Sequence, residues 1–188
     1  YFITPLLSVL LGVFFLRERL RGLQWAPLAL AAAGVVYLAF DYGRLPWIAL
    51  VLASTFSLYG LVKKRAPLPA FEGLTLETAL LLPPALAWLA WSEFDGKGVF
   101  LHAGTLSDLL LIGAGAVTTA PLALFAAAAQ RIPLSMIGIL QYIAPTIQFL
   151  LGVFMYHEPF TRTQLAGFSM VWAAVALFLL ERWRFARR

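Results

Sequence analysis

Polar residues recur along one face of two apolar segments that lie 140 positions apart in the chain. In the second segment the apolar pattern is broken by Gln141, Pro145, Gln148 and Gly152. With 3.6 residues per turn, these positions share one side of a helix. A glutamine facing hydrocarbon would leave its amide group unpaired, so this side is expected to face protein or a wet cavity, where glutamine amides can bind a polar solute.

The residues of this row also have a structural interpretation. Glutamines can join helices by hydrogen bonds, and a glycine such as Gly152 can let two backbones approach. Tyr142 and Thr146 lie beside the row and are candidates for lining the same cavity, although an aromatic residue near a helix end is also typical of an interfacial anchor. The equivalent positions of the first segment are Tyr1, Pro5, Ser8 and Gly12.

Other apolar segments add further candidates. Ser57 and Tyr59 lie in the third and Thr118 in the fifth, where hydroxyls can also bond to carbonyls of their own helix. Glu77 lies about one turn inside the fourth, where it either stabilises the helix start or serves as a substrate-binding or proton-coupling carboxylate. The predicted substrate-binding set is Gln141, Tyr142, Thr146, Gln148, Ser57, Tyr59, Thr118 and Glu77.

The composition places these residues in a membrane. Apolar residues make up 62% of the chain and charged residues 12%, which is incompatible with a water-soluble core. Membrane spans are helices or closed barrels, and these segments lack the strict alternation of barrel strands. We therefore predict an all-α polytopic protein with seven transmembrane helices, at about residues 2–16, 23–40, 46–62, 74–91, 107–129, 133–156 and 163–181.

An internal duplication sets the architecture. Residues 1–41 recur without a gap at 141–181, with proline, glycine, glutamate and glutamine in register. The copies are five crossings apart and must run antiparallel, which predicts an inverted repeat of five helices, ten in total. We assign 1–41 to the last two helices of the first repeat, 42–181 to the second repeat and 182–188 to a basic tail. The start at Tyr1 is interpreted as truncation of earlier helices.

Charge predicts the orientation. Eleven basic residues fall on one side of the predicted membrane and three on the other, so the C-terminus is expected to be cytoplasmic. The net charge of +5 is then explained by topology and anionic lipid, without nucleic acid. Glu18 and Glu158 recur at equivalent helix ends and are predicted to be hinge or boundary elements, or simply solvated loop charges.

The chain lacks the residues that several classes of function need. The chain has no cysteine, and His102 and His157 lie in predicted loops far apart, so neither a metal centre nor a nucleophile with a base is expected. A retinal pigment needs an intramembrane lysine, whereas Lys63, Lys64 and Lys97 are predicted in loops. We predict no enzyme activity, no catalytic residue, no metal and no cofactor.

One run of the chain resembles a known family. The sequence from Leu140 to Thr146, the run from Phe149 to Phe154 and the turn from His157 to Phe160 are similar to the ninth helix of RarD-type proteins. These belong to the EamA family of the drug/metabolite transporter superfamily. The resemblance implies a ten-helix inner-membrane carrier of small metabolites with both termini cytoplasmic, and it implies no particular catalytic residue.

The predicted function is transport of small metabolites or drugs by alternating access, around a cavity lined by the candidate residues. The expected partners are a small-molecule substrate and the lipid bilayer, and a homodimer is left open. The alternative is a non-transporting membrane scaffold or a small-solute channel.

Overall fold

The structure is a computed structural model that describes residues 2–41, 43, 46–157, 159 and 161–186. Within these ranges the chain forms α-helices, one short 3₁₀ turn at Gly22–Gln24, and no strand. The helices are α1 Ile3–Leu16, α2 Trp25–Asp41, α3 Trp47–Arg65, α4 Ala70–Phe94, α5 Thr105–Arg131, α6 Leu134–Leu140, α7 Ile143–Phe154 and α8 Arg162–Ala186.

The helical lengths fit a bilayer. Six spans in the described ranges are long and apolar enough to cross a membrane, and one of them, Leu134–Phe154, consists of α6 and α7 together. The remaining apolar helix, α1, has 14 residues, or about 21 Å. Large side chains such as Phe94 and Phe40 are 92% and 81% exposed, as expected for surfaces that face lipid. The predicted class, an all-helical polytopic membrane protein, is confirmed: six of the seven predicted spans are long enough to cross a membrane, and the seventh, α1, is a shorter apolar helix.

The chain divides into two compact units. The first comprises residues 1–62 and 132–188, and the second comprises residues 63–131. In the second unit α4 packs on α5, and the end of α5 is tied to the residues around the start of α4. Lys64 donates to the Ala129 carbonyl at 3.1 Å, and Gln130 donates to the Leu68 carbonyl at 2.8 Å.

In the first unit α2 and α8 pack side by side in opposite directions. Gln24 near the start of α2 meets Glu181 near the end of α8, whereas Leu38 near the end of α2 meets Gly167 near the start of α8. Between these two contacts, Gly34 lies against Gly167 and Val171. Because α2 and α8 are the equivalent helices of the two sequence copies, this antiparallel packing is the one that an inverted repeat requires.

Helix α1 packs on α6, also antiparallel. Gly12 near the end of α1 lies against Ser135 at the start of α6, and Pro5 and Val9 lie against Gly138. A methyl group at Gly138 would come within 2.7 Å of the Pro5 carbonyl oxygen. Small residues of this kind let membrane helices approach closely enough for backbone contact.

Local conformation recurs at the spacing of the duplication. Arg17 and His157 both adopt the left-handed conformation, with φ of 55° and 52°. Farther along, the Gln24 side-chain oxygen accepts from the Arg21 amide at 3.0 Å, as Gln164 accepts from Thr161 at 3.1 Å. The two copies thus share turn geometry as well as sequence. Three residues of the two sequence copies, Tyr1, Glu158 and Phe160, lie outside the described ranges, and α8 continues into the predicted tail as far as Ala186.

We predict that Gly138→Ala destabilises the protein by about 1–3 kcal/mol, because the added methyl group collides with backbone that cannot move aside cheaply. Gly115→Ala is the matched control, since a Cβ there meets nothing within 4 Å. Unfolding of both variants in lipid or mild detergent measures the difference. Equal stability of the two variants would contradict the close α1–α6 packing.

Candidate functional site

The span Leu134–Phe154 is interrupted at Gln141 and Tyr142. Helix α6 ends at Leu140, the two following residues form a turn, and α7 begins at Ile143. The sequence explains the break, because Pro145 has no N–H to donate to the Gln141 carbonyl one turn earlier. Gln141 follows a helix of 7 residues, so it lies about 10 Å along the span.

Three polar side chains meet beside this break. The Ser8 hydroxyl of α1 lies 3.1 Å from the Gln141 side-chain oxygen and 3.3 Å from the Ser57 hydroxyl of α3. Ser57 donates to the Thr4 carbonyl at 3.2 Å. Ser8 and Ser57 are both almost completely buried. The cluster of Ser8, Ser57 and Gln141, called here the polar cluster, therefore joins three helices within an apolar surrounding.

The polar cluster has unused hydrogen-bonding capacity. The Ser8 hydroxyl carries one proton and lies within reach of two acceptors, so it can serve only one of them at a time. The Gln141 amide nitrogen has two further protons, and it donates to no group among the residues that the structure describes. Gln141 is also only partly buried. Its amide can therefore donate hydrogen bonds to a solute that enters beside the break.

The Tyr142 side chain lies in an apolar core and not in the polar cluster. Its side chain is 5% exposed and packs in a core cluster with Ala31, Val35, Val171 and Ala174 of α2 and α8. It also lines a small apolar cavity of about 20 Å³ that is partly open to the surroundings. The Tyr142 hydroxyl is buried without a hydrogen-bond partner among the described residues. The structure thus places Tyr142 between α2 and α8 instead of beside the Gln141 amide.

Thr146 and Gln148 differ in exposure and in hydrogen bonding. The Thr146 hydroxyl donates to the Tyr142 carbonyl at 2.7 Å and accepts from the Trp172 indole at 3.0 Å, so it ties α7 to α8 and has little capacity left for a solute. Gln148 is exposed on α7. The predicted row therefore holds one glutamine in the polar cluster, at Gln141, and one on an open helix surface, at Gln148.

The remaining hydroxyl candidates occupy separate places. Tyr59 is half-buried, and its ring packs against Phe56 with centroids 6.1 Å apart. Thr118, in the second unit, is exposed and donates to the Ala114 carbonyl of its own helix at 2.7 Å. Of these candidates, Ser57 alone lies in the polar cluster.

Glu77 forms an ion pair that the sequence did not predict. Its carboxylate lies 2.8 Å from the Lys63 ammonium group, and the Lys63 side chain is 2% exposed. The prediction that Lys63 and Lys64 lie in a loop was wrong, since both occupy the last turn of α3. A long side chain can reach back over its own helix, and pairing with a carboxylate compensates the loss of water around the charge.

The segment between α4 and α5 carries another ionisable pair. The His102 ring nitrogen lies 2.5 Å from the Glu93 carboxylate. The hydrogen bond and charge of Glu93 raise the pKa of His102 above its ordinary value. Both side chains are exposed, and no cluster of metal-binding side chains occurs among the described residues.

Sequence comparison places these features in a family context. The profile of the EamA-like transporter family matches residues 45–180. The uncharacterized transporter YojE of Bacillus subtilis is 50% identical over 187 residues, covering all of this chain and 62% of the relative. Protein RarD of Streptomyces exfoliatus is 47% identical over 188 residues, covering 60% of the relative, and protein RarD of Escherichia coli is 43% identical over 182 residues, covering 96% of this chain and 61% of the relative. No solved structure matches the chain significantly.

We predict that Thr146→Val destabilises the protein by about 1–3 kcal/mol, because the Trp172 N–H then loses its acceptor in an apolar surrounding. Thr118→Val is the matched control, since that hydroxyl also bonds to a carbonyl four residues back but accepts from no other described side chain. Thermal unfolding of both variants tests the assignment. If Thr118→Val costs as much as Thr146→Val, the α7–α8 bond is not the source of the effect.

Proposed function

We propose that the protein carries small molecules across a membrane by alternating access. The premise is that this chain belongs to the EamA-like transporter family. The chain spans about three fifths of the length of the curated relatives that it matches. The observation that carries the proposal is the Gln141 amide, which is held beside a break in a membrane span and whose two protons meet no acceptor among the described residues.

The broken span supports a solute site at this place. Transporters commonly bind their substrates where a membrane helix is interrupted, since a break leaves backbone groups and side chains available inside the membrane. Here the break brings the Gln141 amide next to two serine hydroxyls. Neutral amide and hydroxyl groups suit a neutral or zwitterionic polar solute better than a polyanion.

The antiparallel repeat supports the mechanism. Helices α2 and α8, the equivalent helices of the two sequence copies, pack in opposite directions, and the turn geometry after α1 recurs after α7. Two halves of similar structure and opposite orientation can exchange conformations, which moves the opening of a shared site from one membrane face to the other. The polar cluster joins α1 of the first copy to the α6–α7 break of the second, where such a site would lie.

The protein is a multi-pass membrane protein, and we propose the bacterial inner membrane with a cytoplasmic C-terminus. Contacts within the first unit support a shared membrane face for the helix ends concerned. In the first unit, the turn after α1 meets the start of α6 through Glu18 and Leu134, and Gln24 meets the end of α8 through Glu181. The predicted orientation puts all of these on the face with the excess of basic residues.

Transport itself is tested with the complete protein reconstituted in vesicles. A thermal-shift screen of amino acids, nucleosides, sugars and amphipathic antibiotics selects a solute, and its flux is then followed. We expect saturable uptake with counterflow exchange. Flux that rises linearly with concentration and shows no exchange would instead indicate a channel, and no flux of any stabilising solute would indicate a scaffold.

We predict that Gln141→Leu reduces saturable flux about tenfold or more, because a hydrogen bond to the solute is worth about 1.4 kcal/mol or more in a water-poor site. Ser8→Ala is the informative partner variant, since it breaks the same Ser8–Gln141 bond but leaves the amide in place. It should retain flux within about threefold. If both variants lose flux equally at normal abundance, Gln141 acts through helix packing and the proposed solute contact is wrong.

A further inference from the structure

Glu18 holds the start of α6 against the end of α1. Its two carboxylate oxygens accept hydrogen bonds from the backbone amides of Leu134 and Ser135, at 2.6 and 2.8 Å. A carboxylate bonded to backbone amides at a helix start forms charge-assisted bonds, which are stronger than neutral ones. This contact joins residues that are more than one hundred positions apart in the chain.

The start of α6 depends on this carboxylate. The residue before the helix is Pro133, which has no side-chain hydrogen bond to offer. The amides of Met136 and Ile137 bond to the Pro133 carbonyl, at 3.1 and 3.2 Å, which leaves those of Leu134 and Ser135 to Glu18. If Glu18 moved away, two backbone donors would lose their partners. The closed contact is therefore lower in energy than an open one.

The backbone around Glu18 is shaped for the contact. Arg17 adopts a left-handed conformation that ends α1, and the Glu18 amide donates to the Gly12 carbonyl at 3.1 Å. A methyl group at Gly12 would lie 2.7 Å from the Glu18 carboxylate and 3.0 Å from the Ser135 amide nitrogen. Gly12 therefore leaves the space in which carboxylate and helix start meet.

The second sequence copy carries the same elements. Gly152, His157 and Glu158 stand in the same register as Gly12, Arg17 and Glu18, and His157 shares the left-handed conformation of Arg17. Glu158 enters by its sequence position alone. In an inverted repeat, its turn belongs to the opposite membrane face.

From these observations we propose that Glu18 is a positioning residue of the transport cycle, a latch that closes one membrane face by joining α1 to α6. The inference rests on the proposed alternating-access function. When the Glu18 latch opens, the end of α1 separates from the start of α6, and the polar cluster between these helices becomes reachable from that face. The structure shows the Glu18 latch closed.

The test measures access to Ser135, which is buried at the latch. Ser135→Cys is introduced into a cysteine-free version of the complete protein, and its labelling rate with a water-soluble maleimide is followed in vesicles open to both sides. We predict that Glu18→Gln raises this rate about tenfold, because the glutamine amide is uncharged and has a single acceptor oxygen, so one of the two backbone amides loses its partner. Gly12→Ala should raise it similarly with the carboxylate intact. Glu72→Gln, an exposed carboxylate in the first turn of α4, is the control and should leave the rate unchanged.

The decisive arm separates a latch from general loosening of the α1–α6 contact. Gly138→Ala disturbs the same pair of helices through Pro5 and leaves the Glu18 carboxylate in place. A latch predicts that Glu18→Gln labels severalfold faster than Gly138→Ala at an equal loss of thermal stability. A labelling rate that follows the loss of stability alike in both variants would overturn the latch.

Labelling needs no substrate, so its outcome is independent of whether a transported solute is found. If the labelling rates move as predicted but saturable flux is absent, the latch stands and the carrier function fails. If flux is saturable but Glu18→Gln labels like Glu72→Gln, the carrier stands and the latch fails.

Discussion

The dominant constraint on this protein is that a polar group inside hydrocarbon has no water to bind. Each polar side chain must find a protein partner, and three solutions are visible. Thr118 uses a carbonyl of its own helix, Thr146 bonds to the indole of a neighbouring helix, and Ser8 joins α1 to both α3 and the α6–α7 break. The Gln141 amide nitrogen and the Tyr142 hydroxyl have no such partner in the described part of the chain, and the Gln141 amide, which is only partly buried beside the α6–α7 break, indicates a site.

The antiparallel repeat gives this constraint a functional consequence. Helices α2 and α8 bury glycine and small apolar residues against each other, and such an interface can stay closed while other contacts change. The α1–α6 contact combines close backbone packing at Gly12 and Gly138 with the polar bonds of Glu18. Polar bonds to backbone amides can be broken and remade singly, which suits the contact to a moving gate.

Much of the fold was predictable, because lipid restricts spans to apolar helices and because the duplication is visible residue by residue. The position of the break was also readable, since Pro145 removes a specific backbone bond. Periodicity placed Gln141 and Gln148 on one face, but it cannot say which helix covers each part of that face. For the same reason the partner of Glu18 was not predictable, as Leu134 and Ser135 contribute backbone amides that carry no sequence signal. Lys63 was misplaced because three consecutive basic residues are typical of a loop, whereas Glu77 allows one of them to be buried.

The orientation of the two copies is the claim on which both the carrier and the latch depend. It is tested most directly by placing single cysteines at Arg19, after α1, and at Thr161, before α8, in a cysteine-free complete protein. Intact cells are then treated with a membrane-impermeant maleimide. We predict that Thr161→Cys is labelled from outside, whereas Arg19→Cys is labelled only after the membrane is opened. Labelling of both positions from the same side would contradict the inverted repeat.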